Sequence, residues 1–324
     1  MTKRIIVTGA SGFIGSRIAL RFRDLGYDVI NLDRNDRDLP GIQSVNCDIQ
    51  DFDSVSKIVT KGVDAIAHFA AKTSVLESKK DPMGFFSTNV IGTQNLLEAA
   101  RLGGITTFAF ASTNAVVGSS KPPTQVQESN GAIPSLSDSS TVASNELLSE
   151  KNVLYPLTPY GATKAANEML SASYQDSYGM TVAPLRLTNV YGTDMFKKDS
   201  IVPRIMRSLL GGPPLEIYGD GLQWRDYVYL SDVTDAFELA ITRNWVGPVS
   251  IGSGESFSVK EIIDFTQEVT GIEVPANFGP ARTGEMRGVK VDISKAKALG
   301  YAPKVDIRHG LKEVFEDFAN KKNS

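Results

Sequence analysis

The chain has 324 residues, 41% of them apolar, with 28 glycines and a formal charge of −3. That supplies one large α/β unit or two modest domains with buried cores, and excludes a disordered chain. The charge gives no electrostatic case for nucleic acid or an acidic membrane surface, no apolar run approaches a membrane span, and the single Cys47 excludes an internal disulfide or a thiolate metal cluster.

Arg4-Ile5-Ile6-Val7-Thr8 predicts a strand, Gly9-Ala10-Ser11-Gly12-Phe13-Ile14-Gly15 a turn, and the following pattern a helix ending near Gly26. A strand entered this early leaves no room for a signal peptide, and with the lone cysteine the expectation is a cytoplasmic protein. Strand, glycine turn and helix in this order let the backbone approach a pyrophosphate at a helix N-terminus. A plain flexible loop is the competing reading, and the flanking elements weigh against it. The second strand, Asp28 to Leu32, ends at Asp33, whose carboxylate is placed to accept both hydroxyls of an adenosine ribose, which favours NAD. Arg34 follows at once and suits a 2′-phosphate, so NADP stays open.

Gln43 to Cys47 predicts a third strand, with Asp48-Ile49 placed to bracket an adenine edge, and a helix starts at Asp51. Ala65 to Ala71 reads as a buried strand whose end, Phe69-Ala70-Ala71, is small enough for a cofactor to lie against. His68, in mid-run, reads as a satisfied core histidine. With His309 far off in the tail, no histidine metal site or triad is expected. A helix is predicted over Asn89 to Leu102, and the strand Ile105 to Ala111 delivers Ser112-Thr113 to the sheet edge where ligands bind. Residues 119–158, rich in serine and proline, read as a loop with one short helix around Asn145 to Lys151.

Thr158-Pro159-Tyr160-Gly161-Ala162-Thr163-Lys164 then opens a helix that Gly179 stops. Tyr160 and Lys164 share a face, one turn apart. A tyrosine is a poor base at neutral pH, but a cation about 4 Å away supplies roughly 4 kcal/mol, about three pKa units. Two exposed residues on a helix face is the ordinary reading of this spacing, and only the surrounding motifs overturn it. Thr113 is a hydroxyl expected beside Tyr160.

Beyond the strand Val182 to Leu187 and Asn189-Val190-Tyr191-Gly192, regular alternation fails. A helix over Ile201 to Leu210, a loop over Gly219 to Asp226 before a strand Tyr227 to Tyr229, a capping box at Ser258 and Glu261, a short helix from Asp292 to Leu299 and a final amphipathic helix from Ile307 are predicted. The fold class is α/β: a Rossmann-type doubly wound parallel sheet over 1–185, to which 222–250 returns, with a smaller mixed α/β substrate domain over 186–324. Arg225 and Arg282 carry planar guanidinium groups suited to bidentate contact with a diphosphate, although ordinary surface ion pairs explain either one alone.

Together these residues resemble the extended short-chain dehydrogenase/reductase family, in its nucleotide-sugar epimerase branch. The resemblance rests on Thr8-Gly9-x-x-Gly12-x-x-Gly15, Asp33, Asp48-Ile49, His68-Phe69-Ala70-Ala71, Asn89, Ser112-Thr113, Tyr160 with Lys164, Asn189 to Gly192, Trp224-Arg225-Asp226 and Arg282-Thr283-Gly284-Glu285. It implies NAD held along Gly9, Gly12, Phe13, Ile14, Gly15, Asp33, Arg34, Asp48, Ile49, Phe69, Ala70, Ala71, Asn89 and Ser112, and a nucleotide sugar across the domain cleft. Tyr160 would take the proton of the C4 hydroxyl, Lys164 would hold the nicotinamide ribose and depress the tyrosine pKa, and Thr113 would bind the reacting oxygen. Arg225 and Arg282 would grip the diphosphate, Asn189 would contact it, and Glu285 would hold the nucleotide ribose. A homodimer built from the Asn89 and Tyr160 helices is also implied.

Asn114-Ala115 separates activities within the resemblance. Related 4,6-dehydratases place an acidic pair there, and two neutral residues favour C4 epimerisation without elimination. Val117 stands where a tyrosine is usual, 119–158 is longer than usual, and Val289 aligns with the position where epimerases gate the sugar by bulk. A reductase or dehydrogenase of a nucleotide sugar, and a non-catalytic dinucleotide sensor, are the alternatives. The second needs neither Tyr160 nor Lys164.

Overall fold

The computed structural model describes residues 2–35, 37–118, 147–280 and 288–322. Seven parallel strands form the main sheet in the spatial order Val249–Ile251, Thr181–Leu187, Thr107–Thr113, Ala65–His68, Arg4–Thr8, Asp28–Asp33, Gln43–Asn46. Chain order runs outward both ways from Arg4–Thr8, so the crevice beside Thr8, level with Leu32 and His68, is the switch point where such sheets bind ligands.

Both faces of the sheet are covered, which is why its central strands read as unbroken apolar runs. Ile5 and Val7 pack into one core with Ile18, Phe22 and Phe237, while Ile6 faces the opposite core with Ile66, Leu96 and Phe108. The helices Phe13–Asp24 and Leu230–Thr242 lie on the first face, and Phe52–Ile58, Gly92–Gly103 and Pro159–Tyr178 on the second. The helix Pro159–Tyr178 starts as its sequence dictates: Thr158 Oγ1 accepts the Gly161 N–H at 3.1 Å, Pro159 occupies the first turn, and Gly179 ends it with φ +68°.

The smaller domain holds a three-stranded sheet of Ser256–Ser258, Trp224–Tyr229 and Asn189–Tyr191, and a pair of strands, Leu215–Tyr218 with Ala276–Gly279. Helices Ile201–Leu209, Val259–Thr270 and Ile307–Lys322 enclose a core that includes Ile205, Ile217, Ile262, Leu311 and Phe318. The predicted capping box is formed, with Ser258 and Glu261 each accepting the other's backbone N–H.

Three local expectations are corrected. The helix predicted from Asn89 begins at Pro82, capped by Asp81, and runs to Gly103 through a wide π turn at Ser87–Ile91. The strand predicted from Tyr227 begins at Trp224, because Trp224, Arg225 and Asp226 pair antiparallel with Ser258, Phe257 and Ser256. Residues 222–229 therefore belong with the smaller sheet, whereas Leu230–Thr242 and Val249–Ile251 return to the large one. In place of the short helix around Asn145 to Lys151, Leu147–Leu148 is a strand paired with Lys290–Val291. The rest of that segment, 119–146, lies outside the described residues.

Candidate active site

A cleft of about 640 Å³ runs from the glycine turn to the smaller domain, and Gly9, Gly12, Phe13, Ile14, Gly15, Phe69, Ala71, Ser112, Thr113, Tyr160, Lys164, Asn189 and Arg225 all line it. The turn is held tight: the Gly12 N–H donates to Gly9 O at 3.0 Å, and a Cβ on Gly15 would come within 2.3 Å of that same oxygen. Gly9 has φ +73°, and a Cβ there would meet Ala70 N at 2.5 Å. The helix Phe13–Asp24 begins on Gly12 with no side-chain cap and no acid in its first turn, so its positive end is left for an anion. A pyrophosphate fits these features.

A smaller annex of about 210 Å³ shares Gly9, Gly12, Phe69 and Ala71 with the cleft and adds Asp33, Arg34, Ile49 and Ala70. Asp33 is fixed by backbone: Oδ2 accepts Ser11 N–H at 3.1 Å and Oδ1 accepts Asn35 N–H at 2.9 Å. Arg34 Nη1 lies 3.6 Å from the Asp48 carboxylate. Asp48 stands beside Arg34 without lining the annex, and Asp33 and Arg34 are the charged residues that do line it. A carboxylate held there receives ribose hydroxyls and repels a 2′-phosphate.

Asn89 does not line either space. Its Oδ1 accepts Lys72 N–H at 2.8 Å, and its Nδ2 donates to Lys72 O at 2.9 Å and Thr163 Oγ1 at 3.0 Å. Thr163 Oγ1 in turn donates to the Tyr160 carbonyl at 2.7 Å. Asn89 thus fixes the loop after Ala71 and ties it to the Tyr160 helix. His68 is the buried core histidine the sequence suggests. Its ring bridges Thr8 Oγ1 at 2.7 Å and Thr93 Oγ1 at 3.0 Å, and burial, with the nearby Lys164 charge, lowers its pKa to about 3.

Tyr160, Lys164 and Thr113 converge where the strand Thr107–Thr113 ends. Lys164, 3% exposed, donates from Nζ to Ala111 O at 2.7 Å. Burial lowers its pKa to about 8, opposed by the charge of Glu168 one turn further on. Tyr160 departs from expectation. Burial pushes its phenol up to about 12, a hydrogen bond with Thr113 works the other way, and Lys164, turned toward Ala111, does not lower it. The protein's own groups hold the phenol protonated.

Beneath this trio is a pair that the sequence reading missed. Ser112 Oγ donates to Glu168 Oε1 at 2.5 Å, and Arg186 closes an ion pair on Glu168 at 2.7 Å. The signal was there, since an acid four residues after Lys164 faces the same way, but its partner is eighteen residues on in another element. Lys198 also lines the cleft, and nothing in the Lys197-Lys198 doublet distinguishes it from its neighbour.

Where the smaller domain lines the cleft, Asn189 Nδ2 donates to Asp226 O at 3.1 Å and Arg225 Nη1 to Trp224 O at 2.8 Å. Arg282 and Glu285 lie outside the described residues. Val289 does not gate the cleft: it is 6% exposed and packs in the main core with Val291 and Ile293. Val117 is likewise packed, at 1% exposure. Among the described residues no helix is long and apolar enough to cross a membrane, and no group of three or more histidine, cysteine or acidic residues is placed to hold a metal ion.

Residues 5–252 match the NAD dependent epimerase/dehydratase family. UDP-glucose 4-epimerase of Mycolicibacterium smegmatis is 30% identical over 337 residues, covering 98% of this chain and 99% of that protein. dTDP-glucose 4,6-dehydratase of Streptomyces griseus is 31% identical over 327 residues, covering 96% and 92%. The crystal structure of Thermus thermophilus UDP-glucose 4-epimerase in complex with NAD superimposes with a TM-score of 0.84 at 29% identity, over 98% of this chain and 99% of that one. With the family matched over residues 5–252, and a relative 30% identical along nearly the whole of both chains, the chain belongs to the NAD dependent epimerase/dehydratase family.

Proposed function

We propose that the protein is an NAD-dependent epimerase that inverts C4 of a nucleotide-diphosphate sugar, with UDP-glucose and UDP-galactose or their N-acetylated counterparts as the first substrates to try. The observation that carries this reading is the convergence of Tyr160, Lys164 and Thr113 in one cleft with the glycine turn, with the neutral Asn114 next to Thr113. Overall identity does not choose between epimerase and dehydratase, since one relative of each kind lies at 30% and 31%. Asn114 and Ala115 support epimerisation, since neither side chain can remove and redeliver a proton at a neighbouring carbon.

NAD is the cofactor, held by the glycine turn and Asp33, and when bound it supplies reversible oxidation of the carbinol carbon. Tyr160 accepts the C4 hydroxyl proton and later returns it, so no proton is gained or lost over the cycle. Thr113 holds the reacting oxygen. Because the protein alone keeps Tyr160 near about 12, the phenol becomes a usable base only with added positive charge, from Lys164 drawn toward it and from the oxidised cofactor. Arg225, and Arg282 with Glu285, anchor the nucleotide while the sugar turns. A homodimer through the two helices beside the site fits the exposed apolar side chains Ile91, Leu102, Met169 and Tyr178, and light scattering of the purified protein tests it.

The test of function is incubation with UDP-, dTDP- and GDP-sugars without added cofactor, followed by NMR of the sugar. A C4 epimer of unchanged mass is expected. Substrate consumed only when NAD(P)(H) is supplied identifies a reductase or dehydrogenase instead, and a product lighter by one water identifies a dehydratase.

A further inference from the structure

Lys198 lines the cleft, reaches solvent, and among the described residues has no carboxylate within ion-pairing distance. Its neighbour Asp199 is already taken: Arg204 reaches the two carboxylate oxygens at 2.6 and 2.7 Å, and Arg207 Nη2 lies 3.5 Å away. Its backbone is fixed as well, since Lys198 N–H donates to Met195 O at 2.8 Å and Lys198 O accepts from Arg207 Nη1 at 2.9 Å. From that anchorage the ammonium stands 5.7 Å from the centre of the Phe13 ring. Phe13 opens the helix that begins on the glycine turn.

A cation of the smaller domain thus stands beside the side chain of the first residue of the helix that the glycine turn opens, in the same cleft. With no carboxylate among the described residues paired to it, Lys198 has its charge left for an anion that enters the cleft. A diphosphate ester has enough unesterified oxygens to meet both the helix N-terminus and the ammonium at once. We propose that Lys198 is a diphosphate-binding residue that the smaller domain lends to the glycine-turn end of the cleft. This rests on the function proposed above, in which two molecules carry that group, the dinucleotide and the nucleotide sugar.

Lys198→Met keeps the aliphatic stem on Phe13 and removes the charge, and Lys198→Arg keeps the charge. NAD occupancy after exhaustive dialysis and the dissociation constant for UDP by calorimetry, each at low and moderate salt, separate the two sources. Lys198→Met should weaken one or both ligands at least about tenfold, the scale of one charge-assisted hydrogen bond, and should flatten the salt dependence. Lys198→Arg should recover most of the loss, with the melting temperature unchanged in both variants. Loss for NAD alone assigns the dinucleotide, and loss for UDP alone the sugar nucleotide. Wild-type protein that binds both ligands, with Lys198→Met within twofold of it, overturns the inference. Wild-type protein that binds neither overturns the functional reading and the inference with it.

Discussion

Arg186 grips Glu168 through two nitrogens, Nη2 to Oε2 at 2.7 Å and Nε to Oε1 at 3.0 Å, directly behind the site, with both side chains almost fully buried. Glu168 also accepts the Ser112 hydroxyl, and its charge opposes the burial that lowers the Lys164 pKa to about 8. The other titratable groups near Lys164 do not replace it: His68 is neutral above about pH 3, and Tyr160 is protonated to about pH 12. Glu168→Gln should therefore lower the Lys164 pKa and move the alkaline limb of the kcat/KM profile to lower pH. The same change strands Arg186, so roughly 3–5 kcal/mol of stability should be lost. The double variant Glu168→Leu with Arg186→Met should regain much of that stability but not the wild-type limb. A double variant whose pH profile overlays the wild type would show that the carboxylate has no hold on Lys164.

Tyr160→Phe removes one hydroxyl and leaves the ring packed. Turnover of the nucleotide sugar should fall by about 10²–10⁴, the usual share of a positioned proton acceptor, with melting temperature nearly unchanged. In the mechanism proposed above Lys164 is drawn toward the phenol during turnover, so Lys164→Met should shift the acid limb of the profile upward: Tyr160, held at about 12 by burial in the protein alone, would lose one of the two positive charges assigned to lowering it. Unchanged turnover in Tyr160→Phe removes the phenol from the chemistry.

The large domain was legible because its signals are local. A glycine turn between an apolar strand and a helix, and Thr158-Pro159 at a helix start, specify their own backbone. The strand Trp224–Tyr229 was read short because Trp224 to Asp226 are strand only by pairing with Ser256 to Ser258, some thirty residues on. Asn89 was identified from its motif, yet its work is set by Lys72 and Thr163, which no spacing rule brings together. The place of Asp33 at its strand end was readable. That Arg34 would stand 3.6 Å from the Asp48 carboxylate was not, since it depends on how two loops at adjacent strand ends meet.

Asp33→Asn keeps the shape of the annex and removes its charge. NAD affinity should fall by about tenfold, the loss of a charged acceptor for ribose hydroxyls, and NADP should gain relative to NAD because the repulsion is gone and Arg34 is adjacent. Titration of both dinucleotides against wild type and variant measures this. A wild-type protein that prefers NADP would contradict the ribose assignment of Asp33.

Asn89→Ala distinguishes a side chain that touches the cofactor from one that holds the loop beside it. The amide is 1% exposed and makes three hydrogen bonds, two of them to the backbone of Lys72. Alanine leaves the Lys72 N–H and carbonyl without those partners, at a cost of about 2–4 kcal/mol. NAD retention should fall in step with that loss, because Ala71 and Thr73 line the cleft on either side of Lys72. Asn89→Asp retains an acceptor for the Lys72 N–H but has no donor for its carbonyl or for Thr163, so it should fall between alanine and wild type in both properties. If NAD binding collapses in either variant while unfolding is unchanged, Asn89 contacts the dinucleotide directly and the loop is held by something else.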